Sequence, residues 1–265
     1  MKKKNVLSKV YTGLMLLFLF APIFVLIVFS FNESKSRALF TGFTFKWYVE
    51  LFQNEMIMSA LWGSLSMAFC SSTIAAIVGT AAAVGIHKIQ RKGIRTAIMN
   101  ITYLPVLNPE IVTGISMMLL FVIFKNLLGI KLGFITVLIA HVTFCLPYAI
   151  LNVLPKLRQM DPSLYEAAQD LGCPPVRAFF KVVIPEIMPG IISGYLMSFT
   201  FSLDDFIITY FTSGSGFTSL PLVIYSMVRK KVNPQINALS AIIFVVVLLM
   251  LLISNLVQAR KEKAD

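Results

Sequence analysis

Six long stretches of this chain are nearly empty of charge, and that feature constrains its folding more than any other. Val10–Phe31, Trp62–Ile86 and Ile236–Ala259 contain no Asp, Glu, Lys or Arg. Leu132–Pro155 is uncharged apart from His141, Thr96–Phe124 carries the single acid Glu110, and Ile187–Phe211 carries only the pair Asp204–Asp205. A helix crosses the hydrocarbon of a bilayer with about 20 apolar residues, and each stretch is long enough. Lipid offers backbone groups no water, so a crossing must satisfy them internally. The alternating ten-residue pattern of barrel strands is absent. These observations predict an all-α membrane protein with six transmembrane helices. Charged residues are 13% of the chain, about half the share a soluble domain needs to face water. A large soluble domain is thereby excluded.

Lys2, Lys3 and Lys4 precede the first run as in a signal peptide. The apolar stretch is longer than a signal h-region, however, and no small-residue cleavage site follows, so it reads as a membrane helix. With the N-terminus inside, the inner segments hold 15 of the 23 basic residues, including Lys88, Arg91, Lys92, Arg95, Lys156, Arg158, Arg177 and Lys181. The excess of Lys and Arg on one side predicts cytoplasmic N and C termini. The net charge of +11 then reports orientation rather than a nucleic-acid partner. Cys70, Cys145 and Cys173 have no paired or metal-like spacing and read as small apolar packers.

The expected organisation is a first helix and outer interfacial segment over 1–60, a five-helix core over 61–259, and a cytoplasmic tail over 260–265. In the outer segment Asn32–Ala60, Phe43, Phe45, Trp47, Tyr48, Leu51 and Phe52 read as an interfacial stretch anchored by aromatics. In Thr212–Gln235, the basic run Arg229–Lys231 reads either as a solvated loop or as a docking surface for an acidic outside partner.

The inner loop 156–186 carries the densest pattern. Asp161 is a good N-cap, Pro162 fits the first helical position, and Gly172 can end that helix in a left-handed conformation. Leu164, Ala167, Ala168 and Leu171 recur at helical spacing on one apolar face. Pro174 and Pro175 start a second short helix, in which Val176, Phe179, Phe180 and Val183 repeat the spacing. Pro185 and Pro189 mark the entry to the fifth crossing. The two apolar stripes must be buried, either on the ends of the bundle or against a cytoplasmic partner.

Glu166-Ala167-Ala168, Gly172, Val182, Ile184 and Pro185 stand at the spacing of the EAA signature, and the loop resembles that of ABC importer permeases of the type I fold. Val182 and Ile184 are conservative departures. The resemblance implies a coupling helix that fits a groove on an ATPase subunit. Glu166 would contact the ATPase, Gly172 would make the turn, and the apolar residues around Ala167, Ala168 and Pro185 would fill the groove. Further blocks, Gly42-Phe43-Thr44 with Lys46-Trp47-Tyr48, His141–Pro147, Ser198–Asp205 and Leu220–Val228, are similar to the spermidine/putrescine permeases of the PotC type. Iron(III) and other small-solute permeases share the EAA loop, which alone does not fix the solute. No Gly-rich phosphate loop ending in Gly-Lys-Ser/Thr occurs, so ATP must be hydrolysed on another chain.

A carboxylate at the centre of a membrane helix costs roughly 2.5–3.5 kcal/mol on insertion scales and usually faces a cavity or a partner. Glu110, Asp204 and Asp205 are the candidates. Along unbroken helices, Glu110 and Asp204 would both lie roughly 22–24 Å from the cytoplasmic start of their crossings. Alternatively, Asn108–Pro109 marks a helix break just before Glu110. Adjacent helix positions point about 100° apart, so one of the two aspartates faces the pathway while the other caps a helix or pairs with a basic group. No Lys or Arg in the crossings offsets these acids, which suits a cationic solute. A polyamine also suits the aromatic faces available from Tyr103, Phe201, Phe206 and Tyr210. His141 reads as a packing residue or a helix hydrogen-bonder. No metal or cofactor site is expected.

The reading is a non-enzymatic permease subunit of an ATP-driven polyamine importer, forming half of a pore with Glu110, Asp204, Asp205 and Tyr210 along the substrate pathway. Its implied partners are two ATPase subunits, a second related permease, a soluble outside polyamine-binding protein and membrane lipid, with no nucleic acid. The alternatives are a permease for another solute such as iron(III), an ion-coupled secondary transporter, which would need broken-helix repeats, and, least supported, a membrane enzyme.

Overall fold

The structure, a computed structural model, describes residues 6–34, 39–230 and 234–261. Lys2, Lys3, Lys4, Lys35, Arg37, Lys231 and residues 262–265 of the expected tail lie outside the described residues. The elements are α1 Val6–Ser30, α2 Lys46–Gln53, α3 Glu55–Lys88, α4 Lys92–Leu107, α5 Glu110–Leu128, α6 Phe134–Gln159, α7 Pro162–Asp170, α8 Pro175–Ala178, α9 Ile184–Asp204, α10 Ile207–Thr212, α11 Leu220–Lys230 and α12 Pro234–Lys261. Among the described residues the extended pairing is confined to an isolated bridge between Asn32 and Phe43. The all-α expectation holds. Five helical stretches, within α1, α3, α5, α6 and the continuous run 175–204, are long and apolar enough to cross a membrane, and α12 covers the sixth expected crossing as one helix.

Three expected elements are different in the structure. The fifth crossing over 187–211 is broken between the end of α9 at Asp204 and the start of α10 at Ile207, with Asp205 in extended conformation. The third crossing is not one helix over 96–124: α4 ends at Leu107 and α5 begins at Glu110. Pro109 lacks an N–H and crowds the residue before it, and Asn108 accordingly sits in extended conformation at φ −77°, ψ 141°. The depth reckoned for Glu110 along an unbroken helix therefore does not apply. The second loop helix is not a separate piece either. α8 continues through a π turn, Phe179–Val183, into α9. Pro185 follows that turn, where the wider winding relieves the clash its ring would make in a regular helix.

Contacts divide the chain into two units, residues 1–58 with 224–265 and residues 59–223. In the first, α12 packs along α1 and α2. Trp47 and Leu51 are the buried face of α2, and the Trp47 indole Nε1–H donates to the Asn32 carbonyl at 2.6 Å. Phe31 stacks on Phe43 with ring centroids 5.1 Å apart, and Phe45 meets Phe43 edge-on. Of the expected interfacial aromatics, then, Trp47 is interior while Phe43, Phe45 and Phe52 stay exposed. Arg229 is exposed near the end of α11.

In the second unit α6 is the central helix, and close contact comes from missing side chains. A Cβ on Gly79 of α3 would lie 2.6 Å from the Ala149 Cβ. On α9, one added to Gly194 would lie 3.1 Å from the Ala149 Cα, and one on Gly190 would lie 2.8 Å from the Asn152 carbonyl. Gly190 and Gly194 are four apart, the small-residue spacing by which membrane helices approach closely where lipid gives no hydrophobic drive to associate. Ala83, Ile86, Ile150, Val153, Leu154, Val183 and Ile187 close the core beside this seam. Gly79→Val is expected to cost about 1–3 kcal/mol through overpacking, read as a lower melting temperature of the purified complex. An unchanged melting temperature would show that α3 can move off Ala149.

Candidate functional site

The loop between α6 and α9 is built as its residues dictate. The Asp161 side chain accepts the Ser163 N–H at 2.9 Å, with Pro162 opening α7. That N–H holds the Asp161 carboxyl below the usual carboxylate range. The cap is thus fully formed above the ordinary range and is lost as pH falls through the lowered value. α7 ends at Asp170, and Gly172 takes φ +80°. This is the left-handed conformation glycine adopts without penalty.

Between the foot of the bundle and this loop lies a groove of about 480 Å³. Glu166 lines it together with His87 and Lys88 from the end of α3, and with Tyr165, Val176 and Phe179. The two apolar stripes divide. Val183 is buried and Phe179 packs on the core, so one edge of the second stripe joins the bundle. Leu164, Leu171, Val176 and Phe180 remain exposed, Leu171 at 89%. Glu166 and Ala167 are exposed, Ala168 is half-buried, and Pro185 is exposed on the first turn of α9.

The acids gather at two helix breaks of the same unit. Glu110 is the first residue of α5, Asp204 the last of α9, and α10 packs against α5. Gly114 permits that approach, since a Cβ there would lie 3.0 Å from the Phe211 ring. Glu110, Asp204 and Tyr210 are exposed, and Tyr103 is exposed on α4. Asp205 is buried. Its Oδ1 accepts the Ile208 N–H at 3.2 Å, and its Oδ2 accepts both the N–H and the hydroxyl of Thr209 at 2.8 Å. The Asp205 carboxylate thus caps the N-terminus of α10 from one residue before the N-cap position, which Phe206 holds.

Sequence reasoning missed two participants. His141, on α6, has Nε2 2.9 Å from Thr209 Oγ1 and 3.3 Å from Asp205 Oδ2. Tyr148 stacks in a tilted arrangement on Phe201 at 4.5 Å, and Phe144 meets both edge-on. The distance along the chain, 68 residues from His141 to Thr209, hides such partners from any local pattern; only a polar side chain at 141 amid an apolar run signals the first. Phe206 and Tyr210, just after the acids in the chain, meet in a tilted arrangement with centroids 5.6 Å apart.

A bundle broken at paired acids, with an exposed helical loop ahead of its penultimate long helix, is the form of an importer's membrane subunit. Residues 74–263 match the family described as binding-protein-dependent transport system inner membrane component, and the chain belongs to that family. It is therefore a multi-pass inner-membrane transport subunit and not an enzyme. It is 43% identical over 249 residues to the putrescine transport system permease protein PotI of Escherichia coli K12, covering 93% of this chain and 88% of that one. It is 38% identical to the spermidine/putrescine permease PotC of the same strain over 94% and 92% of the two chains. The Haemophilus influenzae PotC is 36% identical over 92% and 93%. In fold it is similar to a chain of a bacterial ABC transporter that imports alginate, with TM-score 0.71 and 18% identity over 96% of this chain and 95% of that one. That transporter has also been solved with an alginate pentasaccharide-bound periplasmic protein.

Proposed function

We propose that this chain is a permease subunit of an ATP-driven importer for polyamines, forming half of the translocation pathway with a second, related permease. Its relatives named for putrescine and spermidine support the solute class. The observation that carries the reading is the exposure of Glu110, Asp204 and Tyr210 at or next to helix breaks, in apolar runs (96–124 and 187–211) that hold no Lys or Arg. Carboxylates of this kind attract the ammonium groups of a polyamine, and the Phe206–Tyr210 pair offers aromatic faces to its alkyl chain and charges. Glu110, Asp204 and Tyr210 line the path in this reading. Asp205 acts behind them as a helix cap. A low-affinity path suits the role, because tight binding midway would slow release.

The loop 156–186 is the coupling element. Glu166, Ala167, Ala168, Gly172 and Pro185 present it to one of two ATPase subunits, whose ATP-driven closure switches the pathway between inward and outward access. The exposed Leu164, Leu171, Val176 and Phe180 support this role, since an apolar stripe in water needs a partner. Both termini face the cytoplasm, and a soluble polyamine-binding protein delivers solute on the other side. The domain division of the sequence, with residues 61–259 as the permease core, belongs to the same proposal.

The test is uptake of labelled spermidine and putrescine by cells lacking this chain, with and without its restoration beside its partner subunits. ATP-dependent uptake that each unlabelled polyamine competes against is expected. An assembled complex that moves neither polyamine would refute the solute class while leaving the family membership intact.

A further inference from the structure

The buried groups around the α9–α10 break form one directed chain of hydrogen bonds drawn from four helices. The Ser71 hydroxyl on α3 donates to Ser202 Oγ on α9 at 2.8 Å. Ser202 Oγ lies 2.7 Å from His141 Nδ1, and His141 Nε2 lies 2.9 Å from Thr209 Oγ1 on α10. Thr209 spends its one hydrogen on the Asp205 carboxylate, so His141 Nε2 must be the donor to Thr209. Ser202 accepts from Ser71 and has its own hydrogen left for Nδ1. A neutral imidazole with its proton on Nε2 satisfies every atom in the series. The Ile208 N–H, the Thr209 N–H and the Thr209 hydroxyl all donate to the Asp205 oxygens, which suits an acceptor-only carboxylate, and His141 Nε2 lies 3.3 Å from Oδ2. Ser71, His141, Ser202, Asp205 and Thr209 are all buried.

We infer that His141 is a positioning residue of the pathway. By donating to Thr209 and lying against Asp205, it locks Asp205 inward as the cap of α10. The chain direction at the break is then fixed, and the neighbouring Asp204 is left as the exposed acid. The geometry requires a donor at Nε2 and an acceptor at Nδ1, not merely a ring of this size. Buried polar networks of this kind fix one arrangement because a partly satisfied alternative is costly. The inference deepens the pathway reading above and rests on it for its consequence in transport.

The experiment uses the whole complex in proteoliposomes and records spermidine uptake per assembled complex together with its melting temperature. His141→Phe keeps the ring and removes both bonds; uptake is expected to fall about tenfold. His141→Gln restores a donor and an acceptor and should return uptake to within about twofold of wild type. Thr209→Val, which removes only the hydroxyl link, should reproduce the His141→Phe defect. His141→Phe combined with Asp205→Asn should be no worse than the worse single change, because both break one network. Equal defects for His141→Phe and His141→Gln, or additive losses in the double variant, would overturn the inference in favour of simple packing. If Asp204→Asn transports normally while the melting temperatures of the 141 and 205 variants stay non-additive, the pathway reading fails and the clasp stands. If Asp204→Asn is defective while His141→Phe is silent in both measurements, the clasp fails alone.

Discussion

Glu166→Lys is expected to abolish ATP-driven uptake while leaving the protein in the membrane at normal abundance. Glu166 is exposed and on a helix with no buried residue, so the fold does not depend on it. It lines the groove in which Lys88 supplies positive charge. Reversing its sign sets like charges together there and inverts the charge offered to a partner seated on α7. Like-charge juxtaposition across an interface costs several kcal/mol, about a hundredfold or more in affinity. Uptake and co-purification of the ATPase together check it. Normal uptake in the variant would remove Glu166 from the coupling role, whereas loss of the protein from the membrane would show that α7 has a folding role its exposure does not reveal.

The second large effect separates two neighbours that the sequence presents as a pair. Asp204→Asn should lower polyamine uptake about tenfold while assembly and melting temperature stay near wild type, because Asp204 is exposed and the change removes charge but not shape. Asp205→Ala should do the reverse and lower the amount of assembled complex first. It strips the acceptor from the N–H groups of Ile208 and Thr209 and from the Thr209 hydroxyl. Buried donors left without partners cost about 1–3 kcal/mol each, a large fraction of a normal stability margin. Uptake normalised to complex, set against the yield of complex, distinguishes the two. Equal behaviour of both variants in both measurements would mean that the inward and outward assignments are wrong.

Much of this architecture is legible without coordinates because membrane crossings are dictated by the solvent. A charge-free run of sufficient length has one way to satisfy its backbone in lipid, and the helices covering Val10–Phe31, Trp62–Ile86, Leu132–Pro155 and Ile236–Ala259 follow from that alone. The first loop helix is equally readable, since caps are local chemistry: Asp161, Pro162 and Gly172 each do what their side chains or lack of one dictate. The run before Glu110 stands open in the sequence between a helix break and a continuous helix, and Pro109 decides for the break through its missing N–H.

What the sequence by itself determined is therefore the apolar stretches that become the membrane helices, the loop with its EAA spacing, and the presence of three acids in apolar runs without Lys or Arg. Tertiary structure decided what those acids are for. Asp204 and Asp205 are indistinguishable by composition and differ by one position, yet one is exposed and the other is consumed by bonds to Ile208, Thr209 and His141. The partner that makes the difference comes from α6, more than 60 residues away, and reaches the break because Gly190 and Gly194 let α9 lie against Ala149 and Asn152. Local propensity has no term for such a contact. It exists only once helices with no preference for each other over lipid have been brought together by the fit of their surfaces.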